Sequence, residues 1–165
     1  MHPVSTLLFA ILALLGLSDR EHPGPGERGQ LPDPVPAPAS LALRVALPDL
    51  APVGMVIPFR VALANQGDRA VQVELGGRPI AFDLIVRNPT GQIVWRRLEG
   101  VPMEMVLVTR TVAAGEVLTF DDHWDQRDRE GRRVAPGVYR VQAVLPVPGV
   151  AGGWGSTIRE VTITP

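Results

Sequence analysis

The sequence predicts an all-β fold, an immunoglobulin-like antiparallel β-sandwich of about seven to nine short strands. From residue 41 onward, apolar and polar residues alternate at nearly every second position, which is the period of a half-buried strand. Turn-forming clusters interrupt this alternation about every ten residues. The chain also contains 17 Pro and 17 Gly among its 165 residues, a composition that favours short elements joined by turns.

Alternating apolar residues mark the individual strands in chain order. Turn-forming residues separate them, as in Asn65-Gln66-Gly67-Asp68 and Asn88-Pro89-Thr90-Gly91, where Pro fixes φ and Gly accepts a positive φ. No window after residue 40 has convincing helical spacing. The alternation predicts strands over residues 41–47, 57–63, 71–75, 80–86, 93–95, 105–112, 117–120, 138–145 and 157–164.

A sandwich corner is predicted where the strand over residues 138–145 begins. Pro136 and Gly137 precede this strand, and Tyr139 lies at its start. At such corners a Tyr hydroxyl ties the incoming loop to the strand. Phe120 and Trp124 share a parity along their own strand, so both side chains are expected in the core.

An unbroken apolar run, Leu7 to Leu17, lies near the start of the chain. A spanning helix needs about 20 apolar residues, so this run is short for a membrane span but fits the apolar core of a signal peptide. Gly16 and Ser18 have the spacing of a cleavage site before Asp19. Residues 1–18 are therefore predicted to be a signal peptide or an N-terminal membrane anchor, which predicts export to the periplasm, the cell envelope or the medium.

Residues 19–40 are predicted to form a Pro-rich disordered linker. Prolines occur at positions 23, 25, 32, 34, 36 and 38, and no apolar periodicity is present. Such a segment stays extended and solvated and acts as a semi-rigid spacer. The folded domain is predicted to occupy residues 41–165.

Composition excludes several classes of function. The chain has no Cys, which excludes disulfides, thiolate catalysis and Cys-based zinc sites. Its formal net charge is -1, so the charge balance gives no indication of nucleic-acid binding. No cofactor is predicted, and membrane contact is expected only through residues 1–18 if they are not cleaved.

Catalytic chemistry has few candidates in the body of the chain. His123 is the only candidate general base after residue 40, and no motif places a Ser or Thr nucleophile beside it. We interpret His123 as a strand-end residue that pairs with a neighbouring carboxylate. The sequence therefore predicts no catalytic residue and no enzyme activity.

The acidic cluster around His123 has two interpretations. Asp121, Asp122, Asp125 and Asp128 could bind Ca²⁺ through carboxylate oxygens, although their spacing matches no EF-type loop. Arginines at positions 127, 129, 132 and 133 are interleaved and would compete with the metal. A solvated, salt-bridged loop is the favoured prediction, and no metal site is predicted.

The stretch from Asn65 to Leu145 resembles the BsuPI family of intracellular proteinase inhibitors. The resemblance lies in a set of motifs whose order and spacing along the chain are similar to those of the family. These are Phe59 to Asn65 with Gln66-Gly67, Phe82-Asp83-Leu84-Ile85-Val86, Trp95-Arg96-Arg97, Ala114-Gly115-Glu116 with Phe120-Asp121-Asp122-His123-Trp124, and Pro136-Gly137-Val138-Tyr139-Arg140-Val141.

The resemblance implies a non-catalytic sandwich that binds and inhibits a protease of unknown class. Because residues 1–18 predict export, the expected target lies in the bacterial cell envelope and not inside the cell. The alternative is an envelope structural or assembly module, which would bind another protein, a glycan or its own copies through a strand edge or an apolar patch without inhibiting a protease.

Two loops are the candidates for protease contact. Loop 98–105 contains Val101, Pro102, Met103 and Glu104, an extended segment whose shape suits a substrate cleft. Loop 146–156 contains Trp154, which either serves as a binding hot spot or packs across its own hairpin. The segment 88–91 is also similar to a loop of chagasin-like cysteine protease inhibitors, and a tight hairpin turn explains it equally well.

Overall fold

The computed structural model describes residues 32–77, 81–102 and 106–165. The predicted signal or anchor segment and residues 19–31 of the predicted linker lie outside the described residues. Within the described ranges every regular element is a β-strand, which confirms the predicted all-β class. In the same ranges no helix is long and apolar enough to cross a membrane.

The strands are short, as the spacing of the turns predicts. Most begin or end within a few residues of the alternating segments, because burial of every second side chain selects the strand conformation. In chain order the described strands are β1 Val35–Pro36, β2 Leu41–Ala46, β3 Leu50–Pro52, β4 Ile57–Asn65, β5 Val71–Gly76, β6 Asp83–Arg87, β7 Ile93–Arg96, β8 Leu107–Val112, β9 Val117–Trp124, β10 Gly137–Leu145, β11 Trp154–Gly155 and β12 Arg159–Thr164.

The strands form two packed layers and a ribbon. The larger sheet has the order β7–β6–β10–β12–β3, and β11 and β1 extend it beside the end of β10. The smaller sheet has the order β2–β4–β9, while β5 and β8 form a two-stranded ribbon. Pairing between described strands is antiparallel except for β1 with β11 and β3 with β12. One hydrophobic cluster contains side chains from both sheets, so the fold is the predicted immunoglobulin-like sandwich.

Aromatic side chains join the two sheets at the centre of the core. Trp124 on β9 lies 5.7 Å from Tyr139 on β10 and 6.3 Å from Trp95 on β7, measured between ring centroids. Trp95 also contacts Phe59 on β4. Trp124 is buried as predicted, whereas Phe120 is only partly buried and packs against the edge of the core.

The predicted corner at Tyr139 is confirmed. Its hydroxyl donates a 2.7 Å hydrogen bond to the carbonyl of Ala135 in the loop that enters β10. Burial of the ring disfavours the phenolate and raises the pKa of Tyr139 above its ordinary value. The hydroxyl therefore remains a donor at every physiological pH.

The sequence patterns do not predict β1, β3 or β11, because two or three residues are too few to show an alternation. β1 also falls inside the segment that the sequence predicts to be a disordered linker. Residues 32–40 are instead part of the fold: the Val35 N–H donates to the Gly153 carbonyl at 3.0 Å, and Val35 lies opposite Trp154. Backbone pairing with a distant strand orders this proline-rich stretch, which has no local pattern of its own.

Candidate functional site at the loop ends of the sandwich

The sandwich has two loop-bearing ends. At the first, which we call the Pro102 end, β7 leads into residues 97–102 and β10 leads into residues 146–153. At the second, the Met55 end, residues 53–56, 88–92 and 125–136 lie beside the start of β10, because β6 and β12 both run antiparallel to β10 and end there. The loops predicted from the sequence belong to the Pro102 end.

The predicted contact loop is exposed where the structure describes it. Val101 is 49% exposed, and Pro102 is exposed beside it. The Val101 N–H donates to the Leu98 carbonyl at 3.3 Å, so the segment leaves β7 as a turn. Met103 and Glu104 lie outside the described residues.

The start of this loop is anchored by Asp83, a buried carboxylate on β6. Oδ1 of Asp83 accepts the backbone N–H of Leu84 at 2.9 Å and that of Leu98 at 3.1 Å. Its Oδ2 accepts hydrogen bonds from Nε and Nη2 of Arg96, the former at 2.9 Å. Asp83 is 2% exposed, and these four donors satisfy it. The position of Leu98, where the loop begins, is therefore fixed.

Arg97 ties the same loop to the opposite sheet. Its guanidinium lies 4.0 Å above the ring of Phe82, donates to the Phe82 carbonyl at 2.9 Å and pairs with Asp122 on β9. Phe82 in turn stacks on Phe120 with ring centroids 5.3 Å apart. The motif residues 95–97 and 120–124 thus form a link between the two sheets below the loop.

Trp154 lies in β11 and not at a loop tip. It pairs with Leu145 on one side and Val35 on the other, and its partly buried side chain packs against the hydrophobic core. Of the two interpretations of Trp154, this placement favours packing across its own hairpin over a role as a binding hot spot. A groove of about 340 Å³ lies nearby, between the Asp83–Arg96 pair and the residues Val147 and Val150 of the β10–β11 loop.

The Met55 end presents an apolar turn that the sequence analysis missed. Residues 50–57, Leu-Ala-Pro-Val-Gly-Met-Val-Ile, contain no charged side chain. Four of them are large, apolar and exposed: Leu50 at 66%, Val53 at 42%, Met55 at 58% and Val56 at 54%. Grouped apolar exposure of this kind marks interaction surfaces. A sequence signal for this turn does exist: Pro52 is followed two positions later by Gly54, and apolar residues lie on both sides.

The turn is closed by its own backbone and by the last strand. The Met55 N–H donates to the Pro52 carbonyl at 3.1 Å, and the Val53 N–H donates to the Thr164 carbonyl at 2.8 Å. Gly54 has φ of 83°, which glycine adopts without strain at the third position of a type II turn. The turn is therefore a defined structure and not an open loop.

Gln126 clamps this turn from inside the protein. Its Oε1 accepts the Gly54 N–H at 2.7 Å, and its Nε2 donates to the Pro52 carbonyl at 2.8 Å. Gln126 is 0% exposed and has φ of 59°, a left-handed conformation that is strained for a residue with a Cβ. The carbonyl of Gln126 also accepts the Val134 N–H at 3.0 Å, so surrounding contacts hold the strained backbone in place.

Two further loops lie at the Met55 end, and internal hydrogen bonds fix both. In the β6–β7 turn, Oδ1 of Asn88 accepts the N–H groups of Thr90 and Gln92 at 3.1 and 2.9 Å. In the β9–β10 loop, Oδ1 of Asp128 accepts the N–H groups of Glu130 and Arg132 at 3.0 and 2.8 Å. A groove of about 570 Å³ separates these two loops.

Residues of the acidic cluster form ion pairs with neighbouring arginines, in agreement with the predicted salt-bridged loop. Asp125 pairs with Arg127 at 3.3 Å and Asp128 with Arg132 at 2.9 Å. Partial desolvation opposes ionisation of Asp128, but hydrogen bonds from Arg132 and the Glu130 N–H outweigh it and lower the pKa of Asp128 below its ordinary value. Among the described residues, no group of three metal-ligating side chains comes together.

His123 occupies the predicted strand end. Its Nδ1 lies 3.6 Å from Oδ1 of Asp122, and its side chain is 66% exposed. Asp122 also accepts the hydrogen bond from Arg97, so its carboxylate serves the link between the sheets. The arrangement is a surface histidine beside a structural carboxylate.

Comparison with known families gives one match. Residues 49–150, more than half of the chain, match the family model of BsuPI, described as intracellular proteinase inhibitor. This range contains the apolar turn over residues 52–55, the buried carboxylate of Asp83 and the buried amide of Gln126. A comparison with curated proteins returns no match.

Solved structures with a similar arrangement are distant in sequence. The alkylpurine DNA glycosylase AlkC of Pseudomonas fluorescens is 15% identical with a TM-score of 0.45, over 77% of this chain and 31% of the glycosylase. A β-glucosidase of Listeria innocua is 16% identical with a TM-score of 0.44, over 76% of this chain and 16% of the enzyme. The CARDB domain of the PF1109 protein of Pyrococcus furiosus is 15% identical with a TM-score of 0.40, over 76% of this chain and 94% of that domain. This chain thus spans less than a third of either enzyme.

Proposed function

This chain belongs to the BsuPI family of intracellular proteinase inhibitors, and we propose on that basis that it binds a protease and blocks its substrate cleft without catalysing a reaction. The observation that carries the proposal is the Met55 end. There, hydrogen bonds to Gln126 and to the last strand hold an exposed apolar turn, and internal hydrogen bonds fix two other loops at the same end.

Rigid loops suit an inhibitor because binding then orders few groups. Each side chain or loop that must be immobilised on docking reduces affinity, so a surface ordered beforehand retains more of its contact energy. Apolar side chains at the centre of such a surface supply most of the binding energy. Val53 and Met55 combine both properties, since their side chains are exposed while their N–H groups are hydrogen-bonded within the protein.

A second contact is proposed at the Pro102 end. The loop with Val101, Pro102, Met103 and Glu104 begins at an anchored position, because Leu98 is bound to Asp83. Trp154 would contribute there through its exposed part. Separate variants, Met55→Asp at one end and Val101→Asp at the other, show whether both ends bind a protease or only one of them does.

The competing function is an envelope assembly module, which would bind through a strand edge or through an apolar patch. Exposed edges that pair with other chains are long and uncharged. Here, among the described strands, β2 carries Arg44, β8 carries Arg110, and the short strands β1 and β3 contain Pro36 and Pro52. These features oppose edge pairing, and they favour contact through loops.

The proposed place of action is outside the cytoplasm. The apolar run from Leu7 to Leu17 supports export, and it is compatible with a protease target in the envelope. Fractionation of cells that express the full chain tests the proposed location independently of inhibition. If the chain were found in the cytoplasm, the proposed location would be wrong, but the proposal that it inhibits a protease would stand.

The function is tested with the purified full chain against a panel of serine, cysteine and metalloproteases and against envelope extract. We expect inhibition of at least one protease at a fixed stoichiometry. Met55→Asp and Val101→Asp then report on the two ends, and Ile158→Asp is the matched control, because Ile158 is a 54% exposed apolar residue outside both. Proteolysis that continues undiminished across the panel and the extract would leave the assembly module as the better description.

A further inference from the structure

We infer that the turn over residues 52–55 enters the protease as a closed wedge, which binds through side chains, and not as a substrate-like strand. The inference rests on the proposed function and specifies how the Met55 end performs it. A substrate, or an inhibitor that imitates one, lies extended in the cleft and pairs its backbone with the enzyme in the manner of an added β-strand. The N–H groups of this turn are already bonded to other groups of the protein.

Three consecutive N–H donors of the turn have partners inside the protein. The Val53 N–H binds the Thr164 carbonyl, the Gly54 N–H binds Oε1 of Gln126, and the Met55 N–H binds the Pro52 carbonyl. The Pro52 carbonyl accepts a second hydrogen bond from Nε2 of Gln126. A protease that drew these residues into an extended strand would have to break all of these bonds.

Opening the turn is further opposed by the burial of Gln126. Its amide is wholly enclosed, and its partners at this site are the Gly54 N–H and the Pro52 carbonyl. With the turn extended, the amide would remain inside the protein without these partners, which is unfavourable for a buried polar group. The peptide bonds between Pro52 and Met55 are therefore withheld from attack by the enzyme.

Recognition must then come from side chains, and their chemistry defines the kind of protease. Val53, Met55 and Val56 are apolar, and the surrounding segment 50–57 contains no charge. Met55 is unbranched and flexible, so its thioether adapts to irregular apolar pockets. The guanidinium of Arg133 lies against Gly54, so the expected target is a protease whose substrate cleft contains an apolar pocket and accommodates this neighbouring positive charge.

The test uses an inhibited protease from the panel, the full chain and three variants. Met55→Asp should weaken inhibition about 30-fold or more, as expected for a buried contact at an interface centre. Met55→Leu should retain inhibition to within about threefold, because volume and apolarity are conserved. Ile158→Asp should behave as the unaltered chain. Mass spectrometry after prolonged incubation at equimolar concentrations should find no cleavage between residues 50 and 57.

The outcomes separate this inference from the proposed function. If no protease is inhibited, the proposed function itself fails. If inhibition is undiminished in Met55→Asp, inhibition stands but the wedge is wrong, because the contact lies elsewhere. If Met55→Asp abolishes inhibition and the bound chain is cleaved within residues 52–56, the turn acts as a substrate-like strand and the wedge is again wrong.

Discussion

Asp83 and Arg96 form an ion pair across β6 and β7 in which the carboxylate is 2% exposed and the guanidinium 23%. The pair lies on the face of the larger sheet that points away from the core. Residues of loop 146–153, together with Pro32 and Pro34, line the groove beside it. A charge in this position stabilises the fold only while its partners remain.

Asp83→Ala should lower the free energy of unfolding by about 3 kcal/mol, because it leaves Arg96 and the Leu98 N–H without their acceptor in a largely covered site. Urea unfolding measures the change. The control is Glu160→Ala, which breaks the exposed pair between Arg140 and Glu160 and should change stability by less than about 1 kcal/mol. Equal effects of the two substitutions would contradict the assigned role of Asp83.

Gly152→Ala should destabilise the protein more than Gly149→Ala. The two glycines have similar positive φ angles, 78° and 73°, so the backbone strain of an alanine is about the same at both. A Cβ at position 152 would lie 2.5 Å from the Asp33 carbonyl, whereas position 149 faces open space. Thermal unfolding of both variants measures the difference. No difference would mean that residues 32–34 do not pack against this loop in solution.

Gln126→Ala should lower the free energy of unfolding by about 2–4 kcal/mol, because the partly buried hydrogen bonds to Gly54 and Pro52 are lost and the fully buried side chain leaves a cavity. Gln126→Gly removes the same side chain but also relieves the strain of the positive φ. It should therefore be more stable than Gln126→Ala by about 1 kcal/mol. Denaturant unfolding of the pair tests this, and the reverse order would show that the backbone at position 126 is unstrained.

Asp128 should make the stability of the protein depend on pH in the acid range. Its pKa is lower in the folded state than the ordinary value of 3.8, so its stabilising contribution is present above that value and is lost as pH falls through the folded pKa. The stability difference between the unaltered chain and Asp128→Asn should be constant above about pH 5 and should shrink below about pH 4. Thermal unfolding across this range measures it. In an Arg132→Gln background the pH dependence should be weaker, and a difference that persisted unchanged to low pH would exclude the carboxylate as its source.

The long strands were predictable because their alternation is complete within one segment, as in β4 and β10. Tyr139 was predictable for a similar reason, since its corner is encoded by neighbouring residues. Gln126 was not, because its partners Pro52 and Gly54 lie 72 or more positions away and nothing near Gln126 distinguishes it from a surface residue. β3, which leads into the apolar turn, was missed because three residues carry no period.

The conformation of the apolar turn depends on distant parts of the chain, and this determines how the protein gains and loses its binding surface. Val53 depends on Thr164 in the last strand, and Gly54 depends on a side chain from the β9–β10 loop. Such non-local contacts form only after the intervening chain is in place, so the turn is completed late in folding. A synthetic peptide of residues 50–57 would keep only the bond between the Met55 N–H and the Pro52 carbonyl, and without Thr164 and Gln126 it would sample many conformations. The binding-competent population therefore equals the folded population, and a substitution anywhere that unfolds part of the protein would reduce the effective dose of inhibitor by the unfolded fraction.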